Sequence, residues 1–274
     1  MTLTFTILGC SSSTGVPRVA LGWGACDPAN PKNRRRRCSL LVERRDRHGR
    51  TTTVLVDTSP DLREQLLGAD VRWVDGVLYT HDHADHIHGI DDLRPMALAR
   101  RRRIDVYLDE STSRNVRTRF AYCFETPPGS EYPPILNEHR LHESRRVTVD
   151  GEGGPIMALP FAQTHGNNQA SLGFRFGNVA YSCDLNGLLP DSIPLLAGLD
   201  IWILDALRYA PHPSHFSVSD ALGWIERIQP RRAILTNLHC DLDYETLRAE
   251  LPAHVEPAYD GMTFTMPAAD SRQD

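Results

Sequence analysis

The chain has 274 residues, 41% of them hydrophobic, and a net charge of −5 at neutral pH. That length supports one large domain with a substantial core. A mildly acidic balance, with a pI near 6.2, leaves no footprint of a general nucleic-acid binder, and no apolar run reaches the length of a membrane span.

Six cysteines without close pairing suit free thiols in a reducing compartment. Residues 1–5 carry neither the basic region nor the apolar run of a signal peptide, so a cytoplasmic location is expected. Residues 2–8 alternate and are rich in β-formers, which predicts a first strand. It runs into Gly9-Cys10-Ser11-Ser12-Ser13-Thr14-Gly15-Val16-Pro17-Arg18. Such a loop lets backbone N–H groups approach an anion closely; it also reads as a plain surface turn. The run Arg34-Arg35-Arg36-Arg37 reads as a solvated, partly salt-bridged surface. Its functional alternative is a clamp for phosphate, which a guanidinium matches bidentately. Residues 39–42 and 53–56 predict paired strands about the turn His48-Gly49-Arg50, and Asp57 at the second strand's end reads as a cap. Residues 60–67 predict a helix with Ser59 as N-cap and Pro60 at its first position.

An apolar run, Val77-Leu78-Tyr79, leads into Thr80-His81-Asp82-His83-Ala84-Asp85-His86. Side chains two apart share a face of an extended segment, so His81 and His83 point one way. Asp85 and His86 lie one turn further on and can serve a second ion. Imidazole suits Zn, Fe, Ni and Cu, and a carboxylate adds charge for harder ions such as Mn. Ligand types at this density argue against a solvated polar loop. His88 reads as lying behind the ligands or at the surface.

Beyond the motif, residues 89–103 begin as a helix, 104–108 form a strand and 111–120 a helix. Residues 124–143 are irregular and Pro-rich, either an active-site flap or a loop packed on the surface. Residues 147–149 and 156–161 predict strands, the latter leading to His165, a second ligand signal. A hairpin of 172–176 and 179–181 delivers Ser182-Cys183-Asp184, and 201–205 is an apolar strand of the buried kind. Residues 217–228 predict a helix with Ala221, Leu222, Ile225 and Ile228 on one face, which sets His215 just before its start. On residues alone, His215 and His212 read as capping or surface groups. Residues 233–236 form a strand ending in Asn237-Leu238-His239-Cys240-Asp241, 243–251 a helix and 261–266 a closing strand. No repeat or linker interrupts the chain, so one domain over residues 1–274 is expected.

The H-x-H-x-D-H motif after an apolar strand resembles the signature of the metallo-β-lactamase fold superfamily, and the likeness runs from Thr4 to about Phe264. The resemblance implies an α/β (α+β) fold, a four-layer αβ/βα sandwich with two divalent metal ions, Zn or Mn, at one edge. Carried onto this chain, it implies His81, His83 and His165 on one ion. Asp85, His86 and His239 fall on the other, with Asp184 between them. Asp57 is similar to the carboxylate that buttresses the metal loop. The family's last ligand His lies where this chain has Asn237; a shift of two keeps a side chain on one face of a strand, which points to His239.

Within the superfamily, the Ser/Gly loop ending in Pro17-Arg18, the arginine run and Ser214-His215 most resemble the cyclic phosphodiesterase of bacterial phosphonate breakdown. That reading has Ser12, Ser13 and Arg18 binding substrate and a metal-activated hydroxide attacking phosphorus. His215 then protonates the departing alkoxide, and Asp85 counts with it among the catalytic residues. The expected partner is a small phosphorylated molecule; neither membrane nor nucleic acid is expected, and a homodimer is compatible with the chain. The family member's structural zinc would need Cys26, Cys38 and Cys240, which are widely separated. Three rival functions share parts of the pattern. A tRNA 3′-processing endonuclease has the metal set but adds a basic, Gly-rich arm not seen here. A thioesterase of the glyoxalase II type has no counterpart to His215. A non-enzymatic metal-binding protein has no need of the full ligand set.

Overall fold

Successive residues of a strand face opposite ways, and in this chain both faces of most strands are apolar. In β1 (Thr2–Gly9), β2 (Ser39–Arg45) and β3 (Thr51–Val56), the residues Phe5, Ile7, Leu40, Val42, Val54 and Val56 enter one buried cluster, while Leu8, Leu41 and Leu55 enter another. A sheet apolar on both sides must be covered twice. The computed structural model, which describes residues 1–167 and 169–268, covers it with a second sheet on one side and helices on the other.

The first sheet continues through β4 (Gly76–Leu78), β5 (Ile104–Leu108) and β6 (Leu136–Arg140). Next in the chain come β7 (Val147–Val149), β8 (Ile156–His165), β9 (Gln169–Phe176), β10 (Val179–Ser182) and β11 (Gly187–Leu188). They are followed by β12 (Ile201–Asp205), β13 (Arg232–Thr236), β14 (Val255–Pro257) and β15 (Met262–Pro267). The strand orders are β15-β1-β2-β3-β4-β5-β6 and β11-β8-β9-β10-β12-β13-β14, with β7 paired to β8. Ile201, Ile203 and Ile234 face the first sheet, and Trp202, Leu204, Ala233 and Leu235 face outwards.

Helices α1 (Leu62–Gly68), α2 (Ala84–Ile87), α3 (Arg94–Arg100) and α4 (Glu110–Phe120) send Leu62, Ile87, Ala97 and Val116 into the outer cluster of the first sheet. Helices α5 (Val218–Ile228) and α6 (Tyr244–Glu250) cover the other sheet with Ala221, Ile225 and Leu247. Three apolar layers separate four structural ones, which is the expected αβ/βα sandwich. No helix among the described residues is long and apolar enough to cross a membrane.

Several local expectations need correction. The first helix begins at Leu62, not at Pro60, because Ser59 Oγ accepts from the Asp61 N–H at 3.1 Å and bonds Gln65, so the turn closes later. The Pro-rich stretch 124–143 contains the edge strand β6. The four arginines do not act together. Arg35 is buried (2% exposed) and donates to the carbonyl of Leu242 at 2.8 Å and to Asn33 at 3.0 Å, while Arg36 pairs with Asp260 at 2.9 Å. Arg34 lies over the Trp23 ring, and Arg37 pairs with Asp61 at 3.0 Å.

Strands β3, β4 and β5 run parallel, as do β10, β12 and β13. Parallel strands leave their carboxyl ends on one side of a sheet, where ligands tend to bind. Asp57, Thr80-His81, Asp184, Asp205 and Asn237 all sit at those ends.

Candidate metal centre

Beyond β4 the chain stays extended through His83 (φ −66°, ψ 151°), the cap of α2, before it coils. His81 and His83 therefore come from the extended part, and Asp85 and His86 from the first helical turn. One ligand atom each from His81, His83, His165 and Asp184 lies within 4.8 Å of the others, and the same holds for Asp85, His86 and Asp184. Asp184 belongs to both groups. Its Oδ2 is 3.8 Å from His81 Nε2, 3.4 Å from His86 Nε2 and 3.8 Å from His165 Nε2.

Hydrogen-bond partners decide which ring nitrogen carries the proton. His86 Nδ1 donates to Asp57 Oδ2 at 2.7 Å, and His165 Nδ1 donates to the Ser214 carbonyl at 2.8 Å. His81 Nδ1 lies 2.9 Å from Thr80 Oγ1, which itself donates to Asp57 Oδ2 at 2.8 Å. Each arrangement turns Nε2 towards the cluster with its lone pair free. His83 is reversed: Nε2 meets Gln169 Oε1 at 3.0 Å, leaving Nδ1 bare 3.2 Å from His165 Nε2. Two lone pairs at that distance repel unless a cation lies between them. Among the described residues, the buried Nε2 atoms of His81 and His86 have no hydrogen-bond partner. The donor set therefore fits divalent metal, with Nδ1 partners of the kind that orient metal-binding histidines.

Charge tells the same story. Burial lowers His81, reinforced by the nearby His86. Burial also opposes a charge on His86, but the carboxylates of Asp184, Asp85 and Asp57 outweigh it and raise its pKa. A divalent cation held there would take the place of that proton.

Asp57, Asp184 and Asn237 hold left-handed backbone angles, with φ of 63°, 50° and 63°. Such strain at three strand ends around one cluster is typical of functional sites. It also breaks the expectation for His239. The parity rule holds only for extended chain, and the turn at Asn237 carries His239 off that face. His239 instead lies 2.8 Å from Arg18 through Nε2 and 3.0 Å from Asp241 through Nδ1. The place beside Asp184 belongs to Asn237, whose Nδ2 is 3.0 Å from Asp184 Oδ1. His239, Cys240 and Asp241 do form a compact group, but the Arg18 guanidinium already occupies it. Cys26 and Cys240 share a small apolar cluster, whereas Cys38 lies apart, against Thr236 and Asn237.

A cleft of about 410 Å³ opens beside Asp85, lined by Ser13, Thr14, Arg18, Val19 and Arg37. Ser12 is not in its lining; its carbonyl accepts from the Gly15 N–H at 3.0 Å and closes the loop. His215 lines a separate recess with Asn186, His212 and Trp224. Its Nδ1 donates to Asp205 Oδ2 at 2.8 Å. Burial disfavours the imidazolium, but Asp205, with Asp184 and Asp85 behind it, raises His215 to about 9. Sequence reasoning passed over Asp205, although an acid closing an otherwise apolar strand ten residues before His215 was a usable signal.

Comparison with known proteins identifies the family and the fold. Residues 52–237 match the family described as a beta-lactamase superfamily domain. The chain belongs to the metallo-β-lactamase superfamily. A crystal structure of a diphosphatase from the PhnP family superposes on this superfamily member with a TM-score of 0.86, at 33% identity over 97% of this chain and 98% of that one. Zn(2+)-bound PqqB from Methylobacterium extorquens (TM-score 0.73, 15% identity, 95% and 99% coverage) and human tRNase Z, short form (0.64, 16%, 96% and 99%), share the fold. An octanoyltransferase of Porphyromonas gingivalis is 32% identical over 261 residues, 93% of this chain but 50% of the relative. The chain thus spans about half the length of that curated relative.

Proposed function

We propose that this superfamily hydrolase cleaves a small phosphodiester, cyclic esters included, with His81, His83, His165 and Asp184 holding one divalent ion and Asp85, His86 and Asp184 a second. The observation that carries this reading is the cleft beside Asp85, lined by two residues that bear guanidinium groups, Arg18 and Arg37, the second of them paired with Asp61. Such groups match phosphate oxygens in geometry and charge, and a neutral thioester has no use for them. Bound at the cluster, divalent ions would supply an acidified water and offset charge on the attacking and leaving oxygens. Ser13 and Arg18 orient the phosphate from the cleft. His215, kept protonated by Asp205, stands at the other recess to give a proton to the leaving oxygen. An alkoxide needs that proton; p-nitrophenolate does not.

His215→Ala is therefore expected to keep its metal and lose on the order of 10²–10⁴-fold on alkyl or cyclic ribose phosphates, with a much smaller loss on p-nitrophenyl esters. Equal losses on both would mean that His215 binds the phosphate or orders the loop. A lactoyl thioester with the higher kcat/KM would overturn the substrate class itself. The likeness to a diphosphatase favours a second reading, a phosphoanhydride substrate. Phosphate is a weaker base than an alkoxide, so on such substrates the loss in His215→Ala would be the smaller one.

A further inference from the structure

The two metal positions have unequal walls. Among the described residues, His81, His83, His165 and Asp184 offer four ligand atoms at the first, and Asp85, His86 and the shared Asp184 offer three at the second. Asn237 stands where a further ligand would complete the second position, 1% exposed and at the end of β13. Its amide has one atom able to bind a cation, the oxygen, and that atom faces away. Oδ1 lies 3.9 Å from the Cys38 thiol, while Nδ2 donates to Asp184 Oδ1 at 3.0 Å and to Asp205 Oδ1 at 3.2 Å. The same Nδ2 lies 3.0 Å from His215 Nδ1, whose proton goes to Asp205. Turning the amide over would set its oxygen against two buried carboxylates and leave both short of a donor, which costs more than one contact with His215 returns.

Asp184 adds to the imbalance. Its Oδ1 accepts from Asn237, and its Oδ2 faces the imidazoles of His81, His86 and His165. Asn237 therefore withholds a ligand of its own and takes one acceptor site of the shared carboxylate. The missing ligand falls on the second position, since the first keeps three histidines.

We infer that the protein binds its two divalent ions with very different affinities, one tightly at the three-histidine position and one weakly at Asp85–His86, with Asn237 setting the difference. The second ion becomes one that the protein gains or loses with the supply around it. This rests on the ligand geometry and not on the substrate: a thioester substrate would leave it standing, and equal affinities would leave phosphodiester hydrolysis standing.

The test is calorimetric titration of the metal-free protein with Zn²⁺, alongside competition with a chelator. Altering a single partner of a metal ligand commonly shifts affinity about 10–100-fold, so the second ion is expected to bind at least about 100-fold more weakly than the first. Asn237→His should bring the two within roughly tenfold. His86→Ala should abolish only the weak event, and His165→Ala should weaken the tight one; circular dichroism checks that each variant is folded. Two equal, tight events in the unaltered protein would overturn the proposal. So would loss of the tight event in a folded His86→Ala, even if Asn237→His failed to fold.

Discussion

His239 lies between Asp241 and Arg18: its Nδ1 is 3.0 Å from Asp241 Oδ2, and its Nε2 is 2.8 Å from Arg18 Nη1 at the edge of the cleft beside Asp85. A guanidinium carries donors only, so Nε2 accepts from Arg18. A hydrogen bond to a charged group contributes about 1.5–3 kcal/mol. His239→Ala is accordingly expected to raise KM about tenfold or more for a phosphodiester, with kcat and tightly bound metal close to unchanged. Partial rescue by His239→Asn, whose amide oxygen can accept from Arg18, separates positioning from loss of fold; loss of metal in His239→Ala would show that it is a ligand after all. At this scale the sequence was legible where the chain is extended or helical. His81, His83, Asp85 and His86 could be placed because strand and helix parity hold along that stretch. His239 could not, because the left-handed turn at Asn237 has no signature that a single sequence displays. Arg35 hid in a similar way: within a run of four arginines, nothing marks the one whose guanidinium caps the carbonyls of a distant loop.

Among the elements, α6 shows how one side chain joins two pieces of chain. Asp243 Oδ1 accepts from the Thr246 N–H at 3.0 Å, while Oδ2 accepts from Asn33 Nδ2 at 2.6 Å and from the Asp27 N–H at 3.1 Å. Burial alone would raise this carboxyl, but the donors outweigh it and hold it down at about 2. Asp243→Ala should cost about 1–2 kcal/mol at neutral pH, as lost helix caps do, read from urea unfolding. Since the folded pKa is the lower one, the contribution is complete above about pH 4 and disappears as pH falls towards 2. The gap between native chain and variant should narrow over that window; a gap independent of pH would show that the carboxylate is not what matters. The sequence ranges for α4, α5 and α6 fall within a residue of the helices observed. Ser59-Pro60 imitated a cap and misplaced α1 by two residues. The edge strand β6 escaped notice because Leu-Asn-Glu-His-Arg is polar and poor in β-formers, as protected edges often are.

For the whole molecule, the strands could be read one by one along the chain, whereas the four-layer sandwich came from the likeness of the histidine motif, and the strand order from neither. That β15 closes on β1 depends on contacts between the chain's two extremes, which no local pattern encodes. The same separation governs the candidate metal cluster, because its residues follow β4 in one sheet and end β8 or follow β10 in the other. The histidines of residues 81–86 are grouped at once, but they meet His165 and Asp184 only after the sheets have docked. Contacts so distant along the chain carry a high closure cost, so we expect them to form late. An ion that needs both sheets would then arrive after the rate-limiting step and act as a latch on the finished protein. In stopped-flow refolding, the folding arm with and without Zn²⁺ should superimpose within about twofold, while the unfolding arm slows on the order of tenfold or more with the ion bound. Faster refolding in Zn²⁺ would mean that the metal gathers the chain early. If the arms behave as expected, the time a cell allows for loading is set by how long the protein stays folded, not by how fast it folds.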